Sequence, residues 1–324
     1  MKGKIKKIVA SIVFCVLVFS LIARFNDILV PKTSNRYYML EKILEENNES
    51  YDVQVYGSCH AYTSFDAKAF EENYNISSYV MANPGEIIPS TYLRMKERFE
   101  KDIPKVALID IWGLNAYETY STQSDIFEYY FPPNIERLPL SCEKLQIIKE
   151  YESLEFISES LPITKYKDRI MNNELTETDF DYEFSDEFYY EMTIRNKNNG
   201  LAAYEDSTEV LDFNEKQAKV SPDDKLAYET DIVEYTNKII DLCEEYGVAI
   251  IFYRAPYIST ENELRKSNWF SDFCDEKDIL YIDLETAVSF DFSTDFLDYH
   301  HLNRFGAKKA TDYLAPYILE AMGK

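Results

Sequence analysis

The chain has 324 residues, enough for one large domain or two modest ones, and its 27 Tyr and 20 Phe against 8 Gly exclude a flexible low-complexity protein. Its net charge at neutral pH is −24, and such an acidic chain repels phosphate backbones, which argues against nucleic acid as a partner. We predict one domain that carries an insertion.

The first 25 residues have the features of a membrane anchor. Four lysines at positions 2, 4, 6 and 7 precede an apolar run from Ile8 to Ala23. The run is short for a membrane helix, and the sequence Leu-Ile-Ala-Arg at 21–24 is a poor cleavage site. We expect an uncleaved signal anchor; a cleaved signal peptide and a buried soluble helix are the alternatives. The basic flank predicts a cytoplasmic tail and an extracellular C-terminal domain at the cell membrane.

The five cysteines do not define a disulfide scaffold or a metal motif. Cys15 lies within the apolar run, and the other four specify no pairing by their number or spacing. None of the cysteines has the spacing of a metal site.

The predicted elements follow in chain order. Residues 26–50 are expected to form a stalk with a surface helix at 36–46. Within 51–324, short β-branched and aromatic or apolar runs predict five strands, at 53–56, 78–81, 106–112, 248–253 and 280–283. Helical spacing predicts helices at 91–99, 221–246, 261–277 and 304–322.

Residues 118–220 break this alternation. They are rich in Tyr, Phe, Asp and Glu, and prolines interrupt them. We predict an insertion with a helix at about 143–158, which either caps the site or packs as an ordinary excursion.

Strands that alternate with helices predict an α/β fold, a flavodoxin-like three-layer sandwich with a central parallel sheet of about five strands. Ligands of such sheets bind beyond the carboxyl ends of the strands. The candidate site therefore lies on the loops at 57–60, 83–85, 113–115 and 254–257 and on the segment that leads to Asp298.

Four short sequence blocks lie on these loops. The first is Gly57-Ser58-Cys59, directly after a predicted strand, and the second is Gly85. The third is Gly113-Leu114-Asn115, and the fourth is Asp298-Tyr299-His300-His301 before the last helix. In their order and strand context the blocks resemble the SGNH/GDSL hydrolase superfamily, whose blocks are Gly-Asp-Ser or Gly-Ser-Ser, Gly, Gly-x-Asn and Asp-x-x-His.

Acyl transfer needs a nucleophile, a base, a group that orients the base and donors for the oxyanion, and the blocks can supply each of them. His301 is the candidate base, and Asp298 would hold its tautomer. Gly85 and Asn115, with the backbone N–H at the nucleophile, are the candidate oxyanion donors. His60 and His300 are expected to bind substrate, and His60 alternatively shapes the turn.

The nucleophile departs from the family pattern. Cys59 stands where the family has serine, and Ser58 occupies the preceding position. A cysteine beside an imidazole ionises more readily than serine, and a thioester would favour transfer of the acyl group to another hydroxyl. Three alternatives stay open at this point: Cys59 as nucleophile, Ser58 as nucleophile, or a degenerate site.

The resemblance, together with the anchor, implies an extracellular esterase or O-acyltransferase that acts on a cell-surface glycan or teichoic acid through a covalent acyl-enzyme. The layout is similar to that of D-alanyl transfer and polysaccharide O-acetylation proteins, which work beside a membrane-bound O-acyltransferase. No metal or organic cofactor is expected. The alternatives are a catalytically inactive module that binds a glycan or a partner protein, and a secreted lipase.

Overall fold

In the computed structural model of the chain, the structure describes residues 2–28, 50–115, 134–136, 138–151, 161–174 and 217–324. The chain divides into two compact units, one with the N-terminal helix and residues 131–185, the other with the sheet. The elements in chain order are α1 Lys2–Ile28, β1 Val53–Tyr56, α2 Cys59–Ser64, α3 Ala67–Tyr74, β2 Ser78–Val80, α4 Ile88–Phe99, β3 Val106–Asp110, α5 Cys142–Tyr151, α6 Pro162–Lys165, α7 Lys167–Met171, α8 Thr230–Tyr246, β4 Ala249–Arg254, α9 Glu261–Asp275, β5 Leu280–Asp283, α10 Leu284–Ala287 and α11 Arg304–Ala321.

The first unit contains α1 and α5 to α7. The stretch Lys4–Asn26 of α1 has a mean hydropathy of 2.6 and exposes its apolar side chains, so α1 is long and apolar enough to span a membrane or to act as a signal anchor. The same unit buries the Lys144 ammonium group, which donates to the carbonyl oxygens of Glu136 at 3.0 Å and Leu138 at 2.6 Å.

The second unit is built on one parallel sheet with strand order β2-β1-β3-β4-β5, as predicted for an α/β protein. Val53 of β1 pairs with Ser78 of β2 on one side and with Val106 of β3 on the other. All residues of β1, β2 and β3 are buried, whereas β5 at the sheet edge is partly exposed. The near-continuous apolar sequence of β3 follows from this burial.

Helices contact β1 on both sides of its pleat. Val53 and Val55 pack in a core with apolar residues of α3 and α11, among them Phe70 and Leu314. Tyr56 points the other way, where the guanidinium of Arg94 on α4 lies 5.9 Å from its ring centroid. α4 in turn packs against α8.

The strand order creates a point where the chain reverses direction across the sheet. After β1 the chain moves outward to β2 and then returns to β3 on the opposite side of β1. The loops after β1 and β3 therefore diverge, and ligands of parallel sheets bind at such a point.

The predicted start of the helix at 221–246 is wrong, because α8 begins only at Thr230. The preceding segment is held by tertiary hydrogen bonds to α9 instead. Asn268 donates to the Ser221 carbonyl oxygen at 3.0 Å, and the Leu226 N–H donates to the Arg265 carbonyl oxygen at 3.1 Å. These contacts replace the intrahelical hydrogen bonds that the capping pattern predicts.

The remaining predicted boundaries agree with the structure to within a few residues. β1 and β5 lie where they are predicted, and Gly247 ends α8 with φ +68°. α4 begins earlier than predicted, with a proline in its first turn. The predicted surface helix at 36–46 and most of 118–220 lie outside the described residues, and the described part of the helix predicted at about 143–158 is α5.

Candidate active site

The turn after β1 is shaped by Gly57. Its φ is +135°, and a Cβ at this position would lie 3.0 Å from the Asp110 Cβ and 3.2 Å from the Ala61 Cβ. Glycine therefore permits both the backbone conformation and the close approach. The turn places Ser58 as the N-cap of α2 and Cys59 as its first residue, at the carboxyl end of β1.

Ser58 and Cys59 have different surroundings. Ser58 is fully buried; its Oγ accepts the His60 N–H at 3.3 Å, lies 3.1 Å from His60 Nδ1 and is hydrogen-bonded to Asp110. Cys59 is partly exposed, and its Sγ lies within 4.8 Å of a ring nitrogen of His301. Of the two candidate nucleophiles, Cys59 is therefore the one that meets both solvent and His301.

A tight turn holds His301 against Asp298. Nδ1 of His301 lies 2.9 Å and 3.0 Å from the two carboxylate oxygens, so we assign its hydrogen to this contact. One of these oxygens also accepts the backbone N–H groups of His300 at 2.7 Å and His301 at 2.9 Å. The second ring nitrogen of His301, Nε2, is buried and has no hydrogen-bond partner among the described residues.

The surroundings of His301 favour its charged form. Burial of the ring opposes the charge, but the hydrogen bond to Asp298 and the nearby sulfur of Cys59 outweigh burial and raise the pKa of His301 to about 10. Burial also opposes the charge on Asp298, yet the hydrogen bonds from His301 and from two backbone N–H groups hold the pKa of that carboxyl below its ordinary value. At neutral pH the pair is an imidazolium and a carboxylate. An imidazolium beside a cysteine sulfur is an arrangement that activates thiolates.

His60 lies inside an aromatic cluster. Its ring centroid is 4.9 Å from that of Trp112, 4.9 Å from that of Tyr257 and 5.3 Å from that of His301. Burial, reinforced by His301 and His300, lowers the pKa of His60 well below its ordinary value, so the ring is neutral. Of the two histidines predicted to bind substrate, His60 is buried and His300 is exposed.

Asp110 at the end of β3 is a buried acid that the sequence prediction missed. Its oxygens accept the backbone N–H groups of Trp112 and Ala255, each at 3.3 Å, and it is hydrogen-bonded to Ser58. Burial raises the pKa of Asp110 to about 7 in spite of these hydrogen bonds. A signal was present, because Asp110 is the one acid in the apolar run at 106–112, and a buried carboxyl needs partners.

The loop that contains Gly85 adjoins the turn at Gly57. The backbone N–H of Asn83 donates to the Gly57 carbonyl oxygen at 3.2 Å, and Gly85 itself has φ +61°. A Cβ at Gly113 would lie 2.8 Å from the Glu86 carbonyl oxygen, so the loops after β2 and β3 are in direct contact. The structure thus brings together the loops that carry the first three sequence blocks.

The Asn115 side chain is bonded to two tyrosines. Its Nδ2 donates to the Tyr257 hydroxyl at 3.1 Å, and its Oδ1 accepts from the Tyr228 hydroxyl at 2.9 Å. The predicted oxyanion donor is therefore buried and already engaged. Tyr257 lies on a loop that the parallel-sheet prediction placed at the site, whereas Tyr228 lies in the segment wrongly assigned to a helix and gave no signal.

Arg254 anchors the loop that carries Tyr257. The guanidinium is fully buried, donates to Ser259 Oγ at 2.9 Å and to Asp283 at 3.1 Å, and pairs with Glu285 at 2.7 Å. It also lies 5.8 Å from the Tyr257 ring centroid. Breaking a buried pair of this kind leaves an uncompensated charge, so loss of one partner would be strongly destabilising.

Three side chains of the site have the chemistry of metal ligands. The Sγ of Cys59 and one ring nitrogen each of His60 and His301 lie within 4.8 Å of one another. A thiolate and two imidazoles are ligands that suit Zn²⁺.

We find no match to the chain among models of known protein families or among curated proteins. The chemistry of the site therefore has to be argued from its geometry. A partly exposed thiol lies near an imidazole, and a carboxylate orients that imidazole from its far side. A nucleophile, a base and an orienting group in this order are the parts that covalent acyl transfer requires.

Proposed function

We propose that the protein is a membrane-anchored SGNH-type esterase or O-acyltransferase that works through an acyl thioester on Cys59. The observation that supports this most directly is the position of Cys59, which faces His301 and solvent while Ser58 is buried. His301 is the proton carrier, and Asp298 is the residue that orients it.

In the first half of the reaction, His301 holds the proton of Cys59, and the sulfur attacks the acyl carbonyl carbon of an ester as the thiolate. The carbon–oxygen bond to the alcohol breaks, a carbon–sulfur bond forms, and His301 gives its proton to the departing alcohol oxygen. In the second half, water or an acceptor hydroxyl loses its proton to His301 and its oxygen attacks the thioester; the carbon–sulfur bond breaks and the sulfur leaves as the thiolate. The steps balance without an oxidant or a reductant.

The oxyanion of each tetrahedral intermediate needs hydrogen-bond donors, and losing one donor typically costs about 3 to 4 kcal/mol. The proposal assigns this role to the backbone N–H groups of Cys59 and Gly85. One N–H of the Asn115 amide already donates to the Tyr257 hydroxyl at 3.1 Å, so Asn115 would join them through its second N–H.

The substrate class and location follow from the resemblance and the anchor. The proposal includes the flavodoxin-like three-layer arrangement, the insertion at 118–220 and an extracellular catalytic domain. The acyl acceptor or donor would be a cell-surface glycan or a teichoic acid, and a membrane-bound O-acyltransferase would be the partner. A thioester lies above an ester in free energy, which favours passing the acyl group to a glycan hydroxyl.

The first test is acylation of the full chain in detergent by p-nitrophenyl acetate. We expect a burst of nitrophenolate of about one equivalent and one acetyl group on the peptide that contains Cys59, detected by mass spectrometry. Cys59→Ala is expected to lose both signals. Cys142→Ala is the matched control, because Cys142 is also exposed but lies in the first unit.

The outcomes separate the alternatives. An acetyl group on Ser58 would assign the nucleophile to the serine, and a burst that survives in Cys59→Ala would contradict the proposal. If the native chain gives neither a burst nor an acetyl adduct but binds a glycan, the result would support the inactive binding module.

A further inference from the structure

The three potential metal ligands are spaced so that small movements would bring them onto one ion. Cys59 Sγ and His60 Nδ1 are 3.7 Å apart, and the ligand atoms of Cys59, His60 and His301 all lie within 4.8 Å of one another. With Zn–S and Zn–N bonds of about 2.3 and about 2.1 Å, tetrahedral geometry puts ligand atoms about 3.5 Å apart. The cluster therefore needs to contract by at most about 1.3 Å.

The outer contact of His301 is that of a metal-binding ring. Nδ1 of His301 contacts Asp298 at 2.9 Å, and its Nε2 is buried with no hydrogen-bond partner among the described residues, so Nε2 is the ligand atom. In His60 the ligand atom is Nδ1, which would exchange its 3.1 Å contact with Ser58 Oγ for the ion. A histidine that binds a metal through one nitrogen usually gives the other to a carboxylate or another polar group, which fixes the ring.

The ligand set selects the ion. Hard cations such as Mg²⁺ and Ca²⁺ prefer oxygen ligands, whereas one thiolate and two imidazoles suit Zn²⁺. Three protein ligands leave a fourth position for water, as in many zinc sites that stay open.

We propose that Cys59, His60 and His301 bind one Zn²⁺ ion and that the bound ion blocks Cys59 as a nucleophile. Binding forms one Zn–S and two Zn–N bonds and releases one proton from the Cys59–His301 pair. The blocking role rests on the proposed acyl chemistry, whereas metal binding does not. Zinc and an acyl group compete for the same sulfur.

The test uses the full chain in detergent after chelator treatment, loaded with Co²⁺ as a spectroscopic substitute for Zn²⁺. We expect one Co²⁺ per chain, a thiolate-to-cobalt charge-transfer band and the visible bands of tetrahedral cobalt. Zn²⁺ should displace the cobalt. Cys59→Ala should lose the thiolate band and Cys142→Ala should keep it. Asp298→Asn should weaken binding about 10- to 100-fold through the orientation of His301.

A second measurement follows Cys59 directly. One equivalent of Zn²⁺ is expected to protect Cys59 from iodoacetamide at least tenfold while Cys142 in the same sample stays reactive. His60→Asn lacks the third proposed ligand and should lose this protection. Thermal melting of the variant is compared with that of the native chain to exclude unfolding. If the thiolate band is absent from the native chain, or if it survives in Cys59→Ala, the zinc site is wrong.

The two proposals fail differently. If zinc binds and protects Cys59 but the metal-free chain gives no acetyl burst, the site stands and the acyl chemistry fails. If the burst is the same with and without one equivalent of Zn²⁺, the acyl chemistry stands and the blocking role is overturned.

Discussion

Asp298 holds His301 through both charge and geometry. One of its oxygens accepts two backbone N–H groups while the pair of oxygens contacts Nδ1. Asp298→Asn keeps the size of the side chain but removes the charge and replaces one acceptor by a donor. A flipped amide would favour the wrong ring tautomer, so we expect kcat for acyl transfer to fall about 10²- to 10⁴-fold. Burst kinetics with an activated ester measure the loss.

Asp312→Asn is the control for this change, because Asp312 forms an exposed pair with Lys308 on α11. Exposed pairs of this kind contribute about 1 kcal/mol or less, so activity and stability should stay near those of the native chain. Native kcat in Asp298→Asn would rule out the orienting role.

Asp110 makes stability depend on pH. The folded state raises its pKa from 3.8 to about 7, so between these values the folded chain binds a proton that the unfolded chain lacks. This contribution is fully present below the lower value and is lost as pH rises through the higher one. The free energy of unfolding should therefore fall by up to about 1.4 kcal/mol per pH unit over this range, on account of Asp110.

Asp110→Asn cannot ionise and can donate to Ser58, although its amide nitrogen no longer accepts a backbone N–H as an oxygen of Asp110 does. We expect the variant to lack this part of the pH dependence. Thermal unfolding in detergent at several pH values measures the difference, and Asp312→Asn serves again as the control. Parallel curves for the native chain and Asp110→Asn would show that the buried carboxyl is not protonated.

The residues of the site differ in how well the sequence predicts them. Asp298 and His301 are close in sequence, so their contact is a property of a short turn and the motif predicts it. The roles of Asp110 and Tyr228 depend on burial and on contacts with distant segments. The possible zinc ligands likewise combine two adjacent residues with one far along the chain, a pattern without a spacing motif.

At the scale of elements, the junction of β1 and α2 depends on a glycine with no room for a side chain. Gly57→Ala places a Cβ 3.0 Å from the Asp110 Cβ at a φ of +135°. We expect a loss of about 2 to 4 kcal/mol in the free energy of unfolding, from strain and overpacking together. Denaturant unfolding of the full chain measures it.

Gly247→Ala separates strain from crowding. Gly247 also has a positive φ, +68°, but a Cβ there would meet nothing within 4 Å. The cost should be about 1 kcal/mol, the penalty of the left-handed conformation alone. Equal losses for the two glycine variants would contradict the assigned crowding at Gly57.

The elements themselves were predictable where their signals agree with the packing. The apolar run of β3 and the glycine at the end of α8 are local signals that the structure uses. Ser221 and the following proline are an equally good local signal for a helix start, yet the segment hydrogen-bonds to α9. Local propensity is worth about 1 kcal/mol per feature, so several tertiary hydrogen bonds override it.

At the scale of the whole molecule, the topology explains why the site could be located before its details. The strand order β2-β1-β3-β4-β5 reverses direction at β1, and the loops after β1 and β3 carry Gly57 to His60 and Gly113 to Asn115. Any five-stranded parallel sheet of this order opens a crevice there. The sequence predicts the strands and hence the crevice, whereas the orientation of Asn115 depends on its packing against tyrosines.

α1 supplies the last prediction, because under the proposed function it anchors the sheet domain outside the cell, where the proposed substrates lie. The double variant Val13→Lys, Leu17→Lys places two charges near the middle of Lys4–Asn26. Each charge raises the free energy of membrane insertion by about 3 kcal/mol, so the variant should be released from membranes. Ile5→Lys, near the basic end of the span, should not.

With tags at both ends, alkaline extraction should leave both tags on one membrane-bound band, and protease added to intact cells should remove only the C-terminal tag. Separate bands would mean a cleaved signal peptide. Protection of the C-terminal tag would place the domain inside the cell. The four N-terminal lysines would then lie on the outer side of the membrane, against the predicted orientation.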